Sequence, residues 1–122
     1  DLPTYRRLLW QADITLSTAH HEFFGISILE AIYCQTFPLL PNRLSYPELL
    51  PNQYHAACVY QSQRDLEERL IWALTHLNEV QEITTKLATA VSHLSWQQIA
   101  PKYDETMVNI CHNHPKQSRE KQ

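Results

Sequence analysis

The sequence predicts an α/β domain in which a short parallel sheet is flanked by helices. Three segments have the composition of strands, at 13–18, 37–41 and 56–60, and a helical pattern at 26–33 separates the first two. The segment 37–41 is apolar throughout, which is typical of a strand buried on both faces of a parallel sheet. The chain's single glycine, Gly25, lies between the first strand and the helix that follows. Together these features predict a partial Rossmann-like domain.

The chain begins with a predicted helix. Asp1 is a suitable N-cap and Pro3 suits the first turn, and apolar residues follow at helical spacing. In the strand after this helix, Ile14 and Leu16 alternate with polar residues, so we expect the strand to be half buried.

The stretch from 17 to 31 carries the functional prediction. In open α/β sheets, ligands bind at the carboxyl ends of strands, next to helix starts. Gly25 allows the backbone to approach an anion closely, and the first amides of a helix have no intrahelical partner. We therefore predict that the amides of Ile26 and Ser27 bind a phosphate group. The alternative is structural, because a glycine that opens a helix is common.

Two carboxylates flank this helix start. Glu30 is the only charged residue between Glu22 and Arg43, and by its spacing it shares a helix face with Ser27 and Cys34. A carboxylate in an apolar neighbourhood is costly unless it is hydrogen-bonded or binds a ligand. We expect Glu30 to accept hydrogen bonds from a sugar hydroxyl, and Glu22 to do so from the loop side. A solvated glutamate is the alternative.

The loop before the helix also carries His20 and His21, which could bind metal or transfer protons, with solvated loop histidines as the alternative. We expect Phe23 and Phe24 to anchor this loop in the core, with stacking on a ligand base as the alternative. After the second strand, Arg43 is the only cation near the predicted pocket, and it could pair with a phosphate or with Glu48.

The last part of the chain predicts helices. Ser62 and Asp65 have the spacing of a capping box, and Asn78 is the predicted cap of the next helix. A final helix follows, which we expect Pro101 to kink or restart. The polar segment 112–122 is expected to be a disordered tail, which leaves residues 1–111 as one domain.

Charge and cysteine content narrow the class of protein. A net charge of −3 over 122 residues does not predict a nucleic-acid-binding surface. Three widely spaced cysteines, at 34, 58 and 111, fit neither a disulfide framework nor a zinc site, so we expect reduced thiols and no metal. Reduced thiols favour a cytoplasmic or nuclear location. No apolar run approaches the roughly 18 residues of a membrane span.

Several strings resemble retaining glycosyltransferases of the family-4 type, which have the two-domain GT-B fold. Glu22 and Glu30, separated by seven residues with Phe24 and Gly25 between them, match the signature of that family. The strings at 17–25, 38–48 and 95–103 are similar to the subgroup of tRNA-queuosine α-mannosyltransferases. The resemblance implies that the chain is the carboxyl-terminal, donor-binding half of such an enzyme, without its upstream strands and acceptor domain.

The resemblance also implies roles for individual residues. Glu22 would hold the transferred sugar as the catalytic residue, and Glu30 would hold the ribose of the nucleotide. The remaining residues that it places at the donor are His21, Gly25, Ile26, Ser27, Asn42 and Arg43.

The sequence departs from the family pattern at two places. The usual glycine-rich loop is replaced by 42–46. Gln35 or Thr36 stands where a glycine normally ends the helix, and a left-handed residue there costs about 1 kcal/mol.

The function implied is transfer of a sugar from a nucleotide-diphosphate donor, GDP-mannose in the subgroup, to queuosine-modified tRNA bound through the missing domain. No metal and no membrane are expected to take part, and the chain alone is expected to be inactive. A non-enzymatic nucleotide-binding or partner-binding α/β module is the alternative. A flavodoxin-like or receiver domain is disfavoured, because Asp13 precedes its strand rather than following it.

Overall fold

The computed structural model describes residues 1–22 and 24–113. The chain divides into two compact units, Asp1–Ser92 and His93–Gln122. The elements of the first unit are, in order, α1 (Leu2–Gln11), β1 (Ile14–Leu16), α2 (Ile26–Tyr33), β2 (Phe37–Pro41), α3 (Tyr46–Leu49), a 3-10 turn (Asn52–Tyr54), α4 (His55–Cys58), β3 (Val59–Tyr60), α5 (Gln63–Thr75) and α6 (Leu77–Val91). The second unit contains α7 (Trp96–Asn113).

The three strands form one parallel sheet in the order β1-β2-β3. Ile14 lies opposite Phe37, and Leu40 lies opposite Val59. Every residue of β2 is buried, as expected for the central strand of a sheet covered on both faces. This arrangement confirms the predicted α/β class.

The core of the first unit forms around β2. Phe37, Leu39 and Leu40 are fully buried there. Helices α2, α5 and α6 cover the sheet, and each contributes buried side chains to the same cluster. These include Ile28, Ile32, Ala73, Val80, Leu87 and Val91. The helices therefore hold β2, and with it the ends of the neighbouring strands, in a fixed position.

Local signals account for several element boundaries. The Asp1 carboxylate accepts a hydrogen bond from the Thr4 amide at 2.9 Å, and Ser62 Oγ accepts one from the Asp65 amide at 3.2 Å. Both caps are as predicted. Gln35 has a φ of 63°, which confirms a left-handed residue at the end of α2 where the family has glycine. The buried Thr36 hydroxyl donates to the Ala12 carbonyl at 3.1 Å, which ties the end of α1 to the start of β2.

Three predicted boundaries are wrong. Strand β1 covers only Ile14–Leu16, and the Ser17 amide donates one further hydrogen bond to the Leu39 carbonyl of β2 at 3.1 Å. Strand β3 begins at Val59, because the three residues before it continue from the 3-10 turn as α4 and bury Cys58. The break between α5 and α6 lies at His76 rather than at Asn78. The His76 amide donates to the Trp72 carbonyl at 2.9 Å, and the two rings stack with centroids 5.2 Å apart.

The main element of the second unit is one long helix, α7. Helix α7 runs continuously past Pro101, so this proline does not restart it. The helix reaches Asn113, two residues beyond the predicted domain boundary at 111, and 114–122 lie outside the described residues. Several apolar side chains of α7 are exposed, among them Tyr103, Met107 and Ile110. Among the helices of the described residues, none has the length and apolar character that crossing a membrane requires.

Candidate functional site

The candidate site lies at the carboxyl edge of the sheet. Because the three strands are parallel, Ser17 after β1, Arg43 after β2 and Gln61 after β3 all leave the sheet at this edge. The start of α2 follows the loop from β1. Strand ends and a helix start therefore meet in the arrangement that binds ligands in other α/β proteins.

Gly25 opens α2 in the left-handed conformation, with φ 79° and ψ 35°. Its carbonyl accepts hydrogen bonds from the amides of Ile28 and Leu29, both at 3.1 Å. No side chain caps this helix start, and Ile26 and Ser27 are exposed. The predicted bend at Gly25 is thus at the beginning of a helix, and the first two residues of that helix are exposed.

A second reason for glycine at position 25 is the packing of α3. A Cβ atom on Gly25 would lie 2.7 Å from Leu49 Cδ1 and 3.6 Å from Tyr46 Cε1. The first distance is shorter than any real contact of this kind. The two explanations that the sequence offered for Gly25, the approach of an anion and the opening of a helix, do not include this contact, because nothing local shows that α3 packs there.

Tyr46 connects Ser17, at the end of β1, with Glu22 in the β1–α2 loop. The Ser17 hydroxyl donates to Tyr46 Oη at 2.8 Å, and Tyr46 Oη lies 3.5 Å from Glu22 Oε2 as a donor to it. The Tyr60 hydroxyl donates to the Ser17 carbonyl at 2.8 Å. Ser17, Tyr46 and Tyr60 are all buried. These three residues were not predicted as part of the site, because they are far apart in sequence and no local pattern connects them.

Arg43 is held by the backbone of the β1–α2 loop. Its Nε donates to the Ala19 carbonyl at 2.9 Å and its Nη2 to the Thr18 carbonyl at 3.0 Å. The ion pairs of the described residues do not include Arg43, so the pairing with Glu48 that the sequence left open is not formed. Burial raises the pKa of Tyr60, and the positive charge of Arg43 opposes that rise.

Asn42 closes the edge between β2 and β3. Its backbone N–H donates to the Tyr60 carbonyl at 2.9 Å, and its side-chain Nδ2 donates to Gln61 Oε1 at 2.8 Å. Asn42 is exposed and at the predicted edge, but its side-chain donor is directed at Gln61. Its contribution to the site in the structure is therefore to hold the strand ends together.

Glu30 is exposed rather than enclosed by apolar groups. The apolar residues next to it in sequence, Ile28, Ala31 and Ile32, point into the core instead. Its Oε2 accepts a hydrogen bond from the Tyr5 hydroxyl of α1 at 2.5 Å, and this bond raises the pKa of Tyr5. The inference that Glu30 is in an apolar environment is wrong, whereas its predicted position one turn into α2 is as expected.

Several described side chains of the β1–α2 loop are exposed. Phe24 is 54% exposed, so the prediction that it anchors the loop in the core is wrong. Phe23 lies outside the described residues. His20 and His21 are both exposed. Within the part of the chain that the structure describes, no group of three or more His, Cys, Asp or Glu residues could hold a metal ion.

Comparison with known proteins bears on this geometry. A family model described as glycosyl transferases group 1 matches residues 3–88. The chain belongs to this family. The matched range contains all three strands and every residue that the sequence places at the donor. The assignment agrees with the resemblance to the carboxyl-terminal domain of a GT-B glycosyltransferase.

A tRNA-queuosine alpha-mannosyltransferase of Drosophila melanogaster is similar to part of this glycosyltransferase chain. The two are 49% identical over 49 residues, which is 40% of this chain and 13% of the fly protein. The matched segment therefore spans a small part of that relative's length. No solved structure is detectably similar to the chain.

Proposed function

We propose that this chain binds a nucleotide-diphosphate sugar at the carboxyl edge of its sheet, as the donor-binding part of a retaining glycosyltransferase. The observation that carries the proposal is the start of α2, where the left-handed Gly25 presents uncapped amides beside the loop that Arg43 holds. Membership of a glycosyltransferase family supports the reaction class.

The diphosphate has two sources of positive potential in this proposal. The amides of Ile26 and Ser27 stand at the amino end of α2, where the helix dipole favours an anion. Arg43 supplies a full charge, and both of its described hydrogen bonds go to neutral carbonyls. Fixed positive groups of this kind stabilise the negative charge that develops on a departing diphosphate. In this proposal the protein itself, and not a metal ion, supplies the positive charge that stabilises the diphosphate.

The two acids are proposed to bind hydroxyl groups of the donor. Glu22 lies on the loop before Gly25 and would engage the transferred sugar, while Glu30, one turn into α2, would hold the ribose. The bond from Tyr5 uses one oxygen of Glu30. A carboxylate has about four acceptor positions, so capacity for ribose hydroxyls remains. His21 is exposed on the same loop and is proposed as a further donor contact.

The finer assignment is mannose as the sugar, GDP as the nucleotide and queuosine-modified tRNA as the acceptor. It is supported by the name of the fly relative and by the resemblance at 17–25 and 38–48. A net charge of −3 favours tRNA contacts in another part of the whole protein. Such an acceptor corresponds to a cytoplasmic or nuclear location.

The test is donor binding by the whole protein, measured by titration calorimetry with GDP-mannose and with UDP-glucose. We expect Glu30→Ala and Arg43→Ala each to weaken binding of the preferred donor about tenfold, which is about 1.4 kcal/mol. Arg64→Ala is the control, because that arginine is exposed on α5, where it pairs with Glu68.

Equal affinity in wild type and Glu30→Ala would remove Glu30 from the donor site. A wild-type protein that binds neither nucleotide sugar would contradict the proposal as a whole. Donor binding without sugar transfer to any tRNA would instead favour the non-enzymatic binding module.

A further inference from the structure

Tyr46 joins three parts of the candidate site that are far apart in sequence. We propose that Tyr46 is a positioning residue, which holds the carboxylate of Glu22 in place for the transferred sugar. The proposal rests on the function proposed above, since it assigns Glu22 to the donor sugar. It adds a residue of α3 that does not itself contact the donor.

A directed chain of hydrogen bonds leads to Glu22. The Ala19 amide donates to Ser17 Oγ at 3.3 Å, Ser17 donates to Tyr46 Oη at 2.8 Å, and Tyr46 is the donor toward Glu22 Oε2 at 3.5 Å. Because Ser17 supplies the hydrogen of the inner bond, the Tyr46 hydrogen is left for the carboxylate. Each bond in such a chain polarises the next, which strengthens the donor at its end.

Packing fixes the ring that carries this hydroxyl. Tyr46 is 1% exposed, and its edge lies against the position that a Cβ of Gly25 would take. Leu49, on the same short helix, contacts the same position. Packing therefore fixes the Tyr46 hydroxyl next to the loop that carries Glu22.

The distance sets the size of the effect. At 3.5 Å the Tyr46–Glu22 pair is longer than a usual O–H···O hydrogen bond of about 2.5–3.0 Å. The Tyr46 hydroxyl therefore limits the positions of the Glu22 carboxylate but does not bind it tightly. Loss of the hydroxyl is expected to cost about tenfold in the rate of transfer and not to abolish it.

The kinetic test compares two tyrosine-to-phenylalanine variants of the whole protein. Tyr46→Phe keeps the ring on Gly25 and removes only the hydroxyl. We expect kcat to fall about tenfold, with the KM for GDP-mannose changed less than about twofold. Tyr54→Phe is the control, because Tyr54 is a partly buried tyrosine of the first unit that lies outside the candidate site. We expect both constants to stay within about twofold there. Equal losses in the two variants would overturn the proposal, since they would indicate a general weakening of the first unit.

A second measurement does not depend on activity. The midpoints of urea unfolding are compared for Tyr46→Phe, Glu22→Ala and the double variant. We expect the double variant to lose less unfolding free energy than the sum of the two single losses, whereas the losses of Tyr54→Phe and Glu22→Ala should add. Additive losses at 46 and 22 would overturn the positioning role. A wild type that binds no nucleotide sugar would refute the proposed function, and the unfolding cycle would still decide whether Tyr46 holds Glu22.

Discussion

Replacement of Gly25 by alanine tests the geometry of the helix start. The substitution adds one methyl group at a residue with φ 79°, next to Leu49 and Tyr46 of α3. Two separate costs follow. A side chain disfavours the left-handed backbone, and the new Cβ would lie 2.7 Å from Leu49 Cδ1.

The magnitudes of the two costs can be worked out separately. A non-glycine residue in the left-handed region costs about 1–2 kcal/mol. Overpacking a core by one methyl group costs about 1–3 kcal/mol. Because Leu49 Cδ1 is the end of a side chain, part of the overlap can be relieved by rotation. We therefore expect the free energy of unfolding to fall by about 2–3 kcal/mol.

The assay is urea unfolding of wild type, Gly25→Ala, Leu49→Ala and the double variant. Removal of the Leu49 side chain leaves only the backbone cost, so we expect Gly25→Ala to cost about 1–2 kcal/mol in that background. A loss below about 0.5 kcal/mol in the wild-type background would refute the reasoning. If Gly25→Ala lowered the free energy of unfolding equally in the wild-type and Leu49→Ala backgrounds, the predicted steric cost would be refuted.

Three further predictions concern the first unit. Gln35→Gly should stabilise the protein by about 0.5–1 kcal/mol in urea unfolding, because the exposed Gln35 has a φ of 63°. Thr36→Val keeps the shape of a buried side chain but removes its bond to the Ala12 carbonyl at 3.1 Å, and should cost about 1–3 kcal/mol in the same assay. Burial raises the pKa of the Cys58 thiol to about 12. Since an unfolded thiol ionises near pH 8.5, the contribution of Cys58 to stability is complete below that pH and should be lost as the pH rises toward 12.

Each of these has an outcome that would contradict it. A destabilised Gln35→Gly would mean that the side chain makes a stabilising contact. A neutral Thr36→Val would mean that water replaces the lost donor. For Cys58, the control is Cys58→Ala, and the same decline in unfolding free energy above pH 8.5 in both proteins would assign that decline to other groups.

Much of the fold follows from local sequence signals. The caps at Asp1 and Ser62, the apolar strand β2 and the helix start at Gly25 depend on nearby residues, and the structure confirms them. The predicted third strand failed over 56–58, because short runs of Ala and Cys suit a helix or a buried strand equally well. Contacts with distant elements decide such cases.

The site was less accessible to sequence reasoning. Local spacing placed Glu22, Gly25 and Arg43 at one edge of the sheet, and the structure has them there. Side-chain direction could not be predicted in the same way. Phe24 turns outward, and the partner of Tyr46 is Ser17, which lies 29 positions earlier. A contact across that separation leaves no periodicity in the sequence.

Helix α1 differs from the other long helices of its unit in how it is attached. None of its ten residues is buried, whereas α6 buries four. The described links from α1 to its surroundings include the Tyr5–Glu30 bond and the Thr36 bond to Ala12. An element held by so little apolar area detaches at low free energy. Transient release of α1 would free the Glu30 oxygen that Tyr5 occupies, so the hydrogen bonding of this carboxylate depends on whether α1 is docked.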